Sequence, residues 1–442
     1  MASSSEFFGV LVAVGFLVGP VAAQIIPAVT LAEAIERSER VQPRMVQAAG
    51  AVKSADARVR SSKGAYLPNL NVSSSAAESY SGGGQARVDQ STGQLVTGSS
   101  STSLNGGING SIELFDGFRR GAESRSARAN QESAVESLED ARFQQGLQTT
   151  NQFFDVLAAT QLVRVREASV RRADEQLKVA IARLRAGAAI RSDSLRSLVT
   201  LGNAQIQLIN AGTQLATAEA NLGRLIGLEG PAAAVDDSGF YRLSEALDTT
   251  ALRAEALSRS PQVRTAEAAA RAARASIGVA RAGYWPTLTL AGSSSVIGAD
   301  ARDAQGVATF PFRQSRQASL SVNWAVFNRF TREQNITNQT QTAETSEANA
   351  GEARRQVLAS LTTWLAELSA ARIRTGITQT SLAAASEDIR VQQERYRLGV
   401  ATIVDVLTSQ ESLTQAGVDV VTARFDYRRA KAQIQALIGR QL

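Results

Sequence analysis

The sequence predicts a mixed, mainly α chain written as an internal tandem repeat, with four β-strands set between very long helical hairpins. Three observations carry that reading. Sequence blocks recur in one order at nearly constant offsets along the 442 residues. Two stretches of 70 residues run without a proline, so nothing interrupts a helix there. Four segments switch their apolar period from helical to two.

Composition narrows the chemistry first. Histidine and cysteine are both absent, which removes zinc clusters, thiol nucleophiles, disulfides, imidazole acid–base catalysis and Cys-linked lipid anchors. The 47 basic and 41 acidic side chains leave a formal charge of +6. That excess is dispersed, and lysine contributes only Lys53, Lys63, Lys178 and Lys431. Nucleic acid is not the expected partner, because it selects a concentrated basic patch.

Phe7 to Ala23 is the one continuously apolar segment, and Val21-Ala22-Ala23 puts small residues before Gln24. This fits a signal peptide over residues 1–23, cleaved to leave a mature chain from Gln24. Glu6 and the lack of Lys or Arg in the leader depart from that pattern, and a membrane anchor is the alternative. No later run is long and apolar enough for a spanning helix. A membrane protein of this sequence must cross with strands.

The repeat then orders the elements. Pro43 precedes Tyr66-Leu67-Pro68-Asn69-Leu70 as Pro261 precedes Tyr284-Trp285-Pro286-Thr287-Leu288, at an offset of 218. At an offset of 212, Leu114-Phe115-Asp116-Gly117-Phe118 matches Val326-Phe327-Asn328-Arg329-Phe330. The same offset relates Arg183-Leu184-Arg185-Ala186-Gly187 to Arg395-Tyr396-Arg397-Leu398-Gly399, and Asp193-Ser194-Leu195 to Asp405-Val406-Leu407. Each half reads as a short helix, two strands with a loop, and a helical hairpin. The predicted units are 24–228 and 243–442, joined by a linker at 229–242.

Gly117 to Ala186 and Arg329 to Leu398 would each span roughly 105 Å if helical throughout. The returning arms carry heptads: Leu201, Leu208, Leu215 and Leu222 alternate with Ala204, Ala211, Ala218 and Leu225. Adding 212 gives Leu413, Val420, Tyr427 and Ile434, with Ala416, Ala423, Ala430 and Leu437. Large residues at one seam position and Ala at the other let helix axes approach closely.

The four strand segments run about ten residues each, enough for a tilted strand to cross a bilayer. Leu70 and Val72 alternate with Asn69, Asn71 and Ser73; from Leu104 to Leu114 the even positions are apolar or Gly. Leu288 and Leu290 alternate with Thr287 and Thr289. Ala318, Leu320, Val322, Trp324 and Val326 alternate with Ser319, Ser321, Asn323 and Ala325. Gly/Ser-rich stretches at 82–103 and 297–313 are expected as loops. Tyr66, Tyr80, Tyr284, Trp285 and Trp324 fall where interface aromatics belong. Four strands cannot close a barrel and an open sheet leaves bare edges, so several protomers must pool strands and helices.

The duplicated order of short helix, Pro-x-Leu strand, Leu-Phe-Asp-Gly-Phe-Arg strand end, long helix, Arg-x-x-x-Gly turn and heptad return resembles the TolC-type outer-membrane efflux proteins. The likeness covers essentially the whole mature chain. It implies a homotrimer whose twelve-stranded transmembrane β-barrel, four strands per chain, continues into a periplasmic α-helical coiled-coil barrel. It implies an exit duct of the outer membrane for efflux or type I secretion. Its partners would be outer-membrane lipid, a periplasmic adaptor protein and an inner-membrane transporter of the RND, ABC or MFS class.

The resemblance also assigns a periplasmic tip. Gly187 and Gly399 mark the turns that would dock the adaptor. Asp193, Tyr396 and Asp405 match residues that hold such channels shut, Asp405 lining the narrowest ring, where neighbouring carboxylates would raise one another's pKa. A hydrogen bond from the Tyr396 hydroxyl to the Asp193 carboxylate is one expected closure contact. Ala401 and Thr408 stand where the family has a gating arginine and a second ring aspartate, so the closed state is expected to be held more loosely, or by other contacts such as Arg191 or Arg397. Asp193 and Asp405 read equally well as helix-capping or first-turn acids.

No nucleophile–base pair, phosphate loop or metal cluster is visible. The chain is therefore expected to be no enzyme and to need no cofactor. A trimeric coiled-coil structural or adhesin-like surface protein is the alternative, although a fibrous rod needs neither the strands nor the doubled turn.

Overall fold

A computed structural model describes residues 26–88, 93, 95–236, 248–302 and 308–440. The expected signal peptide and part of the expected linker lie outside the described residues. The chain opens with strand β1 (Ala28–Val29), helix α1 (Leu31–Val41) and helix α2 (Pro43–Gly64). Next come β2 (Asn69–Val88), β3 (Leu95–Phe115), α3 (Arg119–Arg185), α4 (Arg191–Leu225) and β4 (Ala233–Ala234). The second half runs α5 (Thr249–Arg259), α6 (Pro261–Arg281), β5 (Thr287–Ala299), β6 (Ala301–Arg302), β7 (Ala308–Thr309) and β8 (Phe312–Asn323). It closes with α7 (Thr331–Arg397) and α8 (Ile403–Ile438).

Each half begins with two helices, where the sequence suggested one. The Thr30 hydroxyl caps α1 by accepting from the Glu33 N–H. The chain turns extended at Gln42, because Pro43 disfavours a helical residue before it and suits the first helical position. Pro261 makes the same break between α5 and α6.

The sheet is antiparallel in the order β2-β3-β5-β8, and β2 and β8 are its edges. The strands are longer than the expected ten residues: 20 and 21 in the first hairpin, 13 and 12 in the second. Much of the first Gly/Ser-rich stretch continues the ladder past Gly82 rather than forming a loop. Small side chains leave the backbone free to pair, and backbone pairing is all a projecting hairpin requires. At the other end, Trp324 and Val326 lie beyond β8. The Trp324 indole instead donates to the Tyr284 carbonyl at 3.2 Å.

Even-numbered residues pair with even-numbered ones from Asn69 to Gly82 in the first ladder, from Ser103 to Glu113 in the second and throughout the third; parity changes only beyond the register shifts at Gly82/Arg87 and Glu113/Phe115. One face therefore gathers Leu70, Val72, Ile108, Leu290, Leu320 and Val322. The other gathers Asn71, Ser75, Asn109, Ser293 and Ser319. That is the apolar-out, polar-in alternation of a membrane barrel wall.

Both long helices have 67 residues. α3 packs against α4 and α8, and α8 packs in turn against α7, giving a row α4-α3-α8-α7 whose edges are α4 and α7. α6 fits between α3 and α7 close to the sheet. Apolar clusters hold the row. Phe153, Phe154, Leu222, Ile226, Val421 and Phe425 join α3, α4 and α8. Leu252, Val263, Val357, Leu361, Ile434 and Ile438 join α5 through α8. Each such buried side chain contributes about 2 kcal/mol. Among the described residues no helix is long and apolar enough to cross a membrane.

Sheet and helices meet at a tight corner. Gly117 and Phe118 both have φ of 66°, and a Cβ on Gly117 would lie 2.5 Å from the Trp285 Cβ. In the second half Arg329 and Phe330 take φ of 57° and 60°, a costly backbone for side-chain-bearing residues. Buried Asp116 accepts from the Arg120 N–H at 2.7 Å and the Arg120 Nε at 3.0 Å. Arg120 stacks over Tyr66 and Arg332 over Tyr284, at 4.8 and 4.2 Å from the ring centres. These two tyrosines thus brace the corner through cation–π contacts.

Candidate functional site: the tips of the helical hairpins

The hairpin tips, opposite the sheet, are built by chain reversals. α3 ends when Gly187 takes φ of 72° and donates to Leu184 O, while the Ala188 N–H reaches Arg183 O at 2.8 Å. α7 ends identically: Gly399 takes φ of 80°, donates to Tyr396 O, and Val400 N–H reaches Arg395 O at 2.9 Å. Both are six-to-one closures that satisfy the last helical carbonyls and require a left-handed residue at the turn. Gly187 and Gly399 are exposed.

The two returning helices start differently. α8 begins with a capping box: the Asp405 carboxylate accepts from Thr402 N and Thr402 Oγ1, both at 2.8 Å, and Asp405 N donates back to Thr402 Oγ1. Ile190 holds the matching position before α4 and offers no side-chain cap. Asp193 is a half-buried first-turn acid there and caps nothing.

These contacts decide the electrostatics within one protomer. The Thr402 backbone N–H, then its hydroxyl, hold the Asp405 carboxyl below its usual range, with help from Arg395. That direction is opposite to the one expected from a ring of carboxylates. Burial pushes the Tyr396 phenol up, and the Asp193 charge pushes it further. The expected Tyr396–Asp193 hydrogen bond is not formed: the Tyr396 hydroxyl is buried without a hydrogen-bond partner. Asp193 is close enough to act through its charge alone.

Arg183 is the tip residue that sequence reasoning missed. Its guanidinium lies 4.4 Å from the Tyr396 ring centre and donates to the Tyr396 main-chain carbonyl. It also reaches Ala188 O at 3.4 Å. One side chain thus ties the end of α3 to the end of α7 and to its own turn. Neither expected substitute does this. Arg397 pairs with Glu394 on its own helix at 3.0 Å, and Arg191 is exposed. Ala401 instead packs against Ile389, Tyr396, Ile403 and Val406, while Thr408 is exposed. The Thr-x-x-Asp pattern of the capping box was visible in the sequence. Arg183 had no such signal, since its partner lies on a helix 213 positions away.

Among the described residues no group of acidic side chains is arranged to hold a metal ion. The tip offers two backbone turns, the Arg183 bridge between them, and the acids Asp193 and Asp405 at the starts of the returning helices.

The family model for outer membrane efflux proteins matches residues 34–228 and 252–440. The chain is 24% identical over 390 residues to Protein CyaE of Bordetella pertussis, covering 87% of this chain and 79% of that protein. Its fold is similar to the outer membrane protein VceC of Vibrio cholerae, with TM-score 0.72 and 16% identity over 93% of this chain and 96% of the other. It is equally similar to the open state of the Neisseria gonorrhoeae MtrE outer membrane channel, with TM-score 0.72 and 17% identity. That match covers 93% and 89% of the two chains.

Proposed function

We propose, because this chain belongs to the outer membrane efflux protein family, that three copies form one continuous passive duct from periplasm to exterior. As a family member it is an exit channel of the outer membrane with its helical part in the periplasm. Twelve strands would close the barrel and twelve helices the tube beneath it. Repeats 24–228 and 243–442, joined by 229–242, would each supply one sixth of the ring in the same way.

The observation that carries the trimer is a mismatch in burial between equivalent positions. Ile209 on α4 is 67% exposed, whereas its repeat counterpart Val421 on α8 is 8% exposed because α3 covers it. Leu198 is 52% exposed and its counterpart Gln410 is 4%. On α7, Ile377 is 60% exposed, while its counterpart Val165 on α3 packs into the core. The free edges α4 and α7 thus carry the apolar faces that α8 and α3 bury within a protomer. Covering α4 with α7 of another copy satisfies both.

The channel performs no chemistry in this reading. A periplasmic adaptor grips the turns at Gly187 and Gly399, an inner-membrane transporter feeds the duct, and Asp193, Tyr396 and Asp405 line or brace the closed tip. Light scattering in detergent should return three copies, and planar bilayers should show discrete conductance. A folded, non-conducting monomer overturns the trimeric duct. Replacing Gly187 and Gly399 together by Val should stop export while trimers still reach the membrane; normal export would contradict adaptor docking there.

A further inference from the structure

The repeat predicts how one copy's sheet joins the next. Shifting Asn69 by 218 and Ser111 by 212 turns that β2–β3 pair into Thr287 with Asn323, which is an observed β5–β8 pair. The sequence offsets therefore reproduce the ladder register. The middle ladder, β3–β5, has no counterpart within the protomer; its repeat image is β8 against another β2. Shifting Leu104↔Gly298 gives Arg316 opposite Tyr80, and shifting Gly106↔Val296 gives Ala318 opposite Glu78. Even residues again face even residues, so the apolar face continues unbroken across the join. A slip of one residue would turn it inside out.

We propose that β8 pairs antiparallel with β2 of a second copy in this register, and that Arg316 clasps the partner subunit's Glu78 across the join. The inference rests on the trimeric reading above and names its seam. In this register Arg316 lies directly across from the partner subunit's Tyr80 and diagonal to the partner subunit's Glu78, within reach of a long side chain. All three residues are exposed and on the outward, apolar face. Among the described residues, Arg316 and Glu78 form no ion pair within the protomer. A lone charge facing lipid is unfavourable, so opposite charges brought to one place satisfy each other. Arg316 stands eight residues up β8 from Trp324, which at barrel tilt is roughly 20 Å, near the outer boundary of the bilayer. An aromatic ring opposite a guanidinium adds cation–π attraction.

The chain's lack of cysteine makes the test direct. Two in-register pairs, A77C with S319C and A76C with L320C, are introduced into the full-length protein and oxidised in membranes. Successive antiparallel pairs alternate between wide and close spacing, so one of the two suits a disulfide. Intersubunit crosslinks in an in-register pair, and none in the slipped control A77C with S321C, are expected. Crosslinking only in the slipped pair, with trimers intact by light scattering, overturns the register and leaves the trimer standing. Monomers in detergent overturn both. For the clasp, R316E should lower the trimer's dissociation temperature and E78R with R316E should restore it. An R316E defect that E78R does not rescue, but that tracks anionic lipid in the reconstituted vesicle, would assign Arg316 to a lipid headgroup and overturn the clasp.

Discussion

Arg183 and Tyr396 join the two hairpin tips by a contact in which the tyrosine hydroxyl takes no part. The guanidinium uses the Tyr396 ring face and main-chain carbonyl, leaving the hydroxyl without a partner. Tyr396→Phe should therefore leave single-channel open probability unchanged, whereas Arg183→Ala should raise it about fivefold, as expected for losing a contact near 1 kcal/mol. Arg183→Lys should fall between them, since an ammonium keeps the charge and loses the fork. Asp405 makes the tip sensitive to acid. Its folded pKa lies below the ordinary value of about 4, so its stabilising contribution is complete above that value. The contribution is lost as pH falls through the lower folded value. Amide protection at 403–407, taken relative to the intrinsic exchange rate at each pH from 6 downward, should fall below pH 4 and lose that acid dependence in Asp405→Asn.

At the scale of elements, the repeat exposes which local solutions are interchangeable. α8 starts with a capping box and α4 with an uncapped isoleucine. Thr402→Ala should cost about 1 kcal/mol of local stability at the start of α8. Ile190→Thr should gain part of that at α4, because Asp193 already occupies the position the box requires. Hydrogen exchange at the two tips reads both changes. The corner after each barrel strand makes a second contrast. Gly117 meets its left-handed backbone without strain, and Arg329 does not. Arg329→Gly should stabilise the assembled protein by about 1 kcal/mol against heat, while Gly117→Ala, which places a Cβ against Trp285 and the Ala282 carbonyl, should impair assembly.

For the whole molecule, the balance of exposed and buried apolar surface is what the proposed trimer rests on. The outward barrel face satisfies itself in lipid, but Ile209 and Ile377 lie on helix edges in the aqueous periplasm. Ile209→Asp should shift detergent-solubilised protein from trimer toward monomer while each protomer keeps its helical content, measured by light scattering and far-UV dichroism. The buried core of Phe153, Leu222 and Ile434 does not depend on the neighbour, which is why the protomer fold should survive.

By itself the sequence determined the two-fold repetition, the length of the hairpins, the outward parity of the strands and the positions of both tip turns. Each is a periodic or local property: proline scarcity, a seven-residue spacing, a two-residue alternation, or a glycine where the backbone turns left-handed. Sequence also carried the Thr402–Asp405 box, because its partners are three residues apart. Only tertiary structure decided the row α4-α3-α8-α7, the bracing of the corners by Arg120 and Arg332, and the reach of Arg183 to Tyr396. Those contacts join residues tens to hundreds of positions apart. Nothing in local spacing distinguishes an arginine that stacks on a distant ring from one that faces water. The hairpin running past Gly82 was equally hidden, because Ser and Gly have little preference of their own and pair as strands only when a partner strand arrives beside them.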